Sequence, residues 1–324
     1  MHDYSIKNFA DIEIPDEFKL IVEFERMIWD DDNWNELEIN NFIDKNLNKN
    51  GLTIEFIEKV FTKVAEKRII RKTALANTLA KIEISHNRIY SLNSPEFACF
   101  LRNRGVTIDC DYYKIEESKL AEIYPKDSLA WLIAWGSYED FKTKCLEINS
   151  DFTQRYYEFG EDWDQGVALA DICAKHGRVD IFKFLLVNNS ELSNETPKYS
   201  IIGGNLEIMR LTLSNKHDFS NMLSIAIEYH RNNCLDWLLD NFQNNPVPIP
   251  FCMRNANYEA SLFFIMNGED VNSIISGDMG DFKHNTALQI ACWHNQIDIV
   301  KFLMKYGADL NISTKEEAVL TILI

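Results

Sequence analysis

Glycine and proline are scarce in this chain. It has 12 and 7 of them in 324 residues, too few for long flexible linkers. Basic charge is also short: 33 Lys and Arg stand against 50 Asp and Glu, a net charge of −17. A general nucleic-acid surface is disfavoured by that balance. No apolar run approaches the length of a membrane span, and the opening Met-His-Asp-Tyr-Ser-Ile-Lys has neither the basic nor the apolar part of a signal peptide. The seven cysteines (99, 110, 145, 173, 234, 252 and 292) are odd in number and show no paired spacing. They read as reduced thiols in a cytoplasmic or nuclear protein. There is no phosphate-binding glycine loop, no H-E-x-x-H pair and no G-x-S-x-G elbow. These lacks predict no catalytic residue, no cofactor and no metal site.

What the chain does have is repetition. Residues 176–185 read His-Gly-Arg-Val-Asp-Ile-Phe-Lys-Phe-Leu, and residues 294–303 read His-Asn-Gln-Ile-Asp-Ile-Val-Lys-Phe-Leu. Six of the ten positions are identical. Gly203 to Leu211 and His230 to Leu239 look like the same segment, and Asn267 to Asn272 mirrors Tyr306 to Asn311. Earlier candidates are Leu129 to Gly136 and Phe97 to Asp109. With Gly136, Gly177, Gly204, His230, Ala256 and Asn295 as markers of a turn inside each unit, the steps are 41, 27, 26, 26 and 39 residues. The short steps leave room for bare helix pairs. The long ones should carry loops, and Asn244 to Pro250, with three prolines in five residues, cannot continue a helix.

The residue types suit helix pairs. Ile297, Val300 and Leu303 form one apolar stripe. Ala291 is small enough to let two helices approach. Gly307 can take the left-handed conformation that ends a helix, and Asp309 and Asn311 can bond to backbone in the turn that follows. Leu185 and Leu303 are expected at equivalent buried positions.

Thr286 to Asn311 resembles one ankyrin repeat almost end to end. The T-P-L-H-x-A opening of that family corresponds to Thr286, Ala287, Leu288, Gln289, Ile290 and Ala291, so its Pro and His are absent here. The mean marker step of about 32 residues is close to the roughly 33 of the family. A single ankyrin unit cannot bury its apolar face alone and demands neighbours. The resemblance therefore implies an all-α, ankyrin-type helical solenoid of stacked antiparallel helix pairs over residues 96–324, clearest at 281–312. The stretch Lys198 to Met209 is further similar to a divergent ankyrin family, expanded in some single-celled eukaryotes, that has an N-terminal domain without assigned function.

Residues 1–95 show no such pattern and are expected to form a helical region of their own. Ile39, Phe42, Ile43 and Leu47 predict one helix, stopped near Asn50-Gly51. Ile54, Ile57, Val60, Phe61 and Val64 predict a second, and Thr73 to Ile84 a third. Charge is uneven: residues 1–44 carry 13 acidic and 3 basic residues, residues 45–95 carry 4 acidic and 10 basic. Lys59, Lys63, Lys67 and Arg71 make a basic stripe at steps of four. It reads as a solvated face or as a dock for an acidic partner.

The function implied is a non-enzymatic protein–protein interaction scaffold. Beside it stand a substrate-recognition adaptor, for example of a ubiquitin ligase, and an enzyme with its activity in the N-terminal region. Residues 1–95 hold only His2 and His86, no cysteine and no nucleophile-and-base pair, which favours the scaffold. Cys292 and His294 are two ligand types without a second pair and do not make a zinc site. By resemblance, the partner, a protein of unknown identity, would touch hairpin tips and the exposed ends of the first helices on the concave face. In the clearest repeat those are Phe282 and Lys283 at the tip, and Trp293 and His294 before the turn. The same offset gives Lys175 and His176, Tyr229, and Arg254. The apolar Ala318 to Ile324 looks like the first helix of a further unit, cut short. That predicts a natural chain that continues, with self-association through this end where it is cut, or else a stub packed on the last helix pair.

Overall fold

The computed structural model describes residues 8–30, 33–68, 72–86, 89–90, 95–108, 123–148, 152–156, 166–275 and 285–312. Helix dominates them, in agreement with the all-α expectation. The strands are two pairs of two-residue segments: β1 (Ile89–Tyr90) runs parallel to β2 (Thr107–Ile108), and β3 (Arg155–Tyr156) runs antiparallel to β4 (Val167–Ala168). The chain divides into two compact units. One is Ser118–Asn245. The other joins Met1–Glu117 to Pro246–Ile324. This division does not coincide with the boundary expected at residue 95, and each unit is described by itself.

The 118–245 unit contains α6 (Leu129–Trp135), α7 (Tyr138–Ile148), α8 (Leu169–Lys175), α9 (Val179–Val187), α10 (Thr196–Gly203), α11 (Leu206–Ser214), α12 (Leu223–Glu228) and α13 (Leu235–Asn241). They form two layers. The first helices α6, α8, α10 and α12 pack in succession, and so do the second helices α7, α9 and α11. The core between them is apolar, with Leu169, Ile172, Ile181, Phe182, Leu185 and Ile208 fully enclosed.

One local device makes every pair after α6–α7. The residue between the two helices takes a left-handed conformation at Gly177, Gly204, His230, Ala256 and Asn295, with φ of 65°, 69°, 51°, 56° and 53°. These are the positions that the repeat spacing marks; Gly136, the first marker, instead has φ −86°. At four of the five turns the next amide donates back over five residues: Arg178 to Cys173, Arg231 to Ala226, Asn257 to Cys252 and Gln296 to Ala291, at 2.8–2.9 Å. This closure satisfies a carbonyl that the helix end would otherwise strand. The accepting residue is Cys or Ala in all four, and Ser200 holds that place in α10. All five are fully buried, because a larger side chain would hold the neighbouring first helix away. The second helices end in the same way. Ser190, Glu269 and Ala308 donate to Leu185, Phe264 and Leu303 at 3.0 Å. Leu185 and Leu303 are both fully buried, as the alignment of the two segments requires.

The other unit begins with α1 (Asp16–Trp29), α2 (Glu36–Asn46), α3 (Ile54–Lys67), α4 (Lys72–His86) and α5 (Pro95–Arg102). It ends with α14 (Ile249–Arg254), α15 (Tyr258–Met266), α16 (Ala287–Trp293) and α17 (Ile297–Lys305). α2, α3 and α4 fall where the apolar spacing places them. α1 has the same kind of stripe: Phe18, Ile21, Val22, Ile28 and Trp29 are buried. Its run of acidic residues masks that stripe in the sequence. The loop 244–248 precedes α14, whose first turn contains Pro250.

Candidate functional site

The ends of the first helices, where partner contacts are expected, differ between the two units. In the 118–245 unit, Lys175, His176 and Tyr229 are half-exposed. Lys175 Nζ lies 5.9 Å from the Tyr199 ring, and the His176 ring is 6.3 Å from Tyr124. Arg178, one residue past the turn, donates from Nη1 to the carbonyls of Ile133 and Gly136 at 2.8 and 2.9 Å. Arg231, at the equivalent position, donates from Nε to Ile202 at 2.6 Å. Each arginine binds the negative end of the preceding first helix, so these side chains link neighbouring repeats.

In the unit that joins both chain ends, the N-terminal helices cover this edge. α1 lies along α15 and α17. Its Glu25, 3% exposed, accepts the Tyr258 amide on both carboxylate oxygens at 2.9 and 3.0 Å. The amide of Tyr258 belongs to the first turn of α15 and has no partner within that helix. Asn257 caps the amide of Ala260 from within the repeat, and Glu25 completes the cap from another element. Burial pushes the Glu25 carboxyl well above the usual carboxylate range, against the pull of the amides it accepts. Next to it, Arg26 pairs with Glu259.

α3 closes over the turns themselves. Lys59 Nζ donates to the Met253 carbonyl at 3.2 Å and lies 3.0 Å from His294 Nε2. Phe56 packs edge-on against Tyr258 and His294, with centroids 5.5 and 5.7 Å apart. Burial, then the neighbouring Lys63 charge, lowers the Lys59 ammonium to about 7. Burial and the Lys59 charge hold the His294 imidazole well below the usual histidine range. Gly51, at φ 81°, sits against Gln296, and any Cβ there would run into that side chain.

These contacts revise two sequence expectations. His294 is 6% exposed and packed under α3, so it is not an exposed end of a first helix. Lys59 is not part of a solvated stripe, because its ammonium reaches inward to the repeats. Lys63 lies 3.8 Å from Glu66, and Arg71 lies outside the described residues. Trp293 is 58% exposed and Arg254 half-exposed. Phe282, Lys283 and the segment Ala318 to Ile324 lie outside the described residues. Cys292 is buried beside Trp293, while His294 turns to Lys59. Among the described residues no group of three or more His, Cys, Asp or Glu is placed to hold a metal.

Glu25 and the inward role of Lys59 were missed at the sequence level. The signal for Glu25 was its place within the apolar stripe of α1, between Val22 and Ile28. In the clearest repeat, Gln289 takes the place of the missing His. It forms a capping box with Thr286: the Thr286 amide donates to Gln289 Oε1 at 2.9 Å, and the Gln289 amide donates to Thr286 Oγ1 at 3.3 Å. Asn272 ties this repeat to the one before, donating to the Gly307 carbonyl at 3.0 Å and accepting from the Asp309 amide at 2.8 Å. The Asn311 amide donates to Asp309 Oδ1 at 2.8 Å, the turn bond expected of that pair.

Two known families match parts of the chain. Residues 283–315 match the ankyrin repeat. Residues 188–266 match a domain of unknown function, DUF3447, and that span holds the left-handed turns at Gly204, His230 and Ala256 described above. The chain therefore carries an ankyrin repeat, and the repeat supports a general role in protein–protein interaction. Neither matched family is catalytic. No curated protein matches the chain. Among the described residues no helix is long and apolar enough to cross a membrane.

Proposed function

We propose that this chain is a non-enzymatic interaction scaffold whose repeats bind a protein partner through the ends of their first helices. The observation that carries this reading is Trp293, more than half exposed at the end of α16 in the repeat that matches the ankyrin family. A large aromatic that is mostly exposed at a helix end has the character of a binding anchor. Arg254 and Lys175 stand at the equivalent place at the ends of α14 and α8, and His176 and Tyr229 cap α8 and α12 at the place of His294. Phe282 and Lys283 remain proposed tip contacts by resemblance. His294 leaves the set because α3 covers it.

The test is capture of partners on the purified chain, followed by titration of the recovered partner against Trp293→Ala and Tyr229→Ala. Trp293→Ala should melt with the parent, since that residue is mostly exposed, whereas Tyr229 is partly packed against the core and its variant is compared at a temperature where it is fully folded. At least one should lose about 2 kcal/mol of affinity, roughly 30-fold. Two well-folded variants that bind the same partner with undiminished affinity would remove the first-helix ends from the reading.

A further inference from the structure

On the scaffold reading, we infer that the turn edge of the 118–245 unit takes an acidic segment of the partner protein, one that carries carboxylates between apolar side chains. The first helices α6, α8, α10 and α12 pack in succession, so their turns follow one another along one edge. Arg178 holds the turn of α8 to the end of α6 through the Ile133 and Gly136 carbonyls. Arg231 Nε and Asn233 Nδ2 hold the turn of α12 to that of α10, at 2.6 Å from the Ile202 carbonyl and 2.9 Å from that of Gly204. Between them, Gly203 lies directly against Ala174.

Charge on this edge runs against the rest of the chain. Residues 134–137, 175–178, 202–205 and 228–231 span the four helix ends, their turns and the residue after each turn. They hold Lys175, Arg178 and Arg231 against Glu228, whereas the whole chain has 33 basic residues and 50 acidic. Asp180, 3.4 Å from Arg178 Nη2, reduces the excess without reversing it. Two of the cations are held in place. Arg178 and Arg231 give part of each guanidinium to backbone carbonyls, so less side-chain freedom is left to lose when a carboxylate arrives. Aromatic surface lies among the cations: Trp135 is 38% exposed, and His176 and Tyr229 are half-exposed. Fixed cations interleaved with half-exposed rings fit a segment in which carboxylates and apolar side chains are interleaved in the same way. A basic segment would meet like charge here, although the net charge of −17 attracts it to the chain at long range.

Three short labelled peptides test this, made of Glu-Tyr, Gln-Tyr and Lys-Tyr repeats. Each is titrated against the full chain by fluorescence anisotropy at physiological salt, where screening over about 8 Å removes most of the distant acidic field. The Glu-Tyr peptide should bind about threefold more tightly than the Gln-Tyr peptide, or better. Lys175→Glu should weaken it about threefold, and Glu228→Lys should strengthen it by a similar factor. Both residues are half-exposed at helix ends, and Lys175→Gln, with a smaller loss, serves if Lys175→Glu does not fold. Lys142→Glu makes the same change of charge at an exposed position of the second-helix layer and should leave binding unchanged. An acidic peptide no tighter than the neutral one, equal losses for Lys175→Glu and Lys142→Glu, or no gain for Glu228→Lys each overturns the proposal. So does a Lys-Tyr peptide that Lys175→Glu tightens and Glu228→Lys weakens, since that would put a basic segment on this edge. A captured partner that needs Tyr229 yet ignores both charge reversals would keep the scaffold reading and overturn the acidic chemistry alone.

Discussion

Gly203 shows how little space the repeats leave. It ends α10 against α8, and a Cβ built there would run into the Ala174 carbonyl. A backbone oxygen cannot rotate away, so the two first helices would have to separate. Gly203→Ala should cost at least 1–3 kcal/mol as an overpacked site, read as a lowered denaturation midpoint with unchanged slope. Leu185 and Leu303 test the opposite fault. Each is fully buried at the end of a second helix, and truncation to Ala should cost about 2–5 kcal/mol. A loss below about 0.5 kcal/mol at both would contradict their equivalence. The six described cysteines are all buried. Burial raises the Cys145 thiol to about 11 and the Cys234 thiol to about 12, and raises Cys173 well above the ordinary range. The thiolate is the reactive form, so iodoacetamide at pH 8 should spare these three in the native chain and label them in urea. Peptide mapping would show rapid native labelling if their packing were loose.

At the scale of elements, the cap on α15 comes from α1. Removing it by Glu25→Ala leaves a buried amide without its acceptor and should cost about 1–3 kcal/mol. Arg26→Ala, one residue along, removes an ion pair whose arginine is mostly exposed and should cost less than about 1 kcal/mol. Equal losses in the two melting curves would mean that the cap contributes nothing of its own. The helices themselves were largely legible in the sequence. Spacing placed α2, α3 and α4, and the markers placed five left-handed turns, three of them on residues other than glycine. Legibility failed where chemistry and periodicity disagreed. The carboxylates of α1 hid its apolar stripe, and Lys59 fitted a basic stripe at steps of four although its amine turns inward.

For the molecule as a whole, the grouping of Met1–Glu117 with Pro246–Ile324 makes a prediction that an independent N-terminal domain would not. α1 and α3 cover Phe302, Tyr258 and His294; Phe18 meets Phe302 with centroids 4.9 Å apart. A chain shortened to begin at residue 69 would expose that apolar surface. It should aggregate, or unfold at lower denaturant, when compared with the full chain by size-exclusion chromatography and urea titration. A soluble monomer of unchanged midpoint would show that the repeats stand without the N-terminal helices.

The repeat, its turn positions, its small-residue slot and its polar turn residues could be read from the sequence alone. Each depends on neighbours within one helix pair, and the chain's own periodicity records them. Which face another element covers is different. The sequence marks a residue as apolar, basic or small, and does not say what will lie over it some 200 residues away. The burial of His294, the inward turn of Lys59 and the cap that Glu25 places on Tyr258 were decided by tertiary packing. There the enclosure of three titratable groups, rather than any property of their own sequence, sets what they can do.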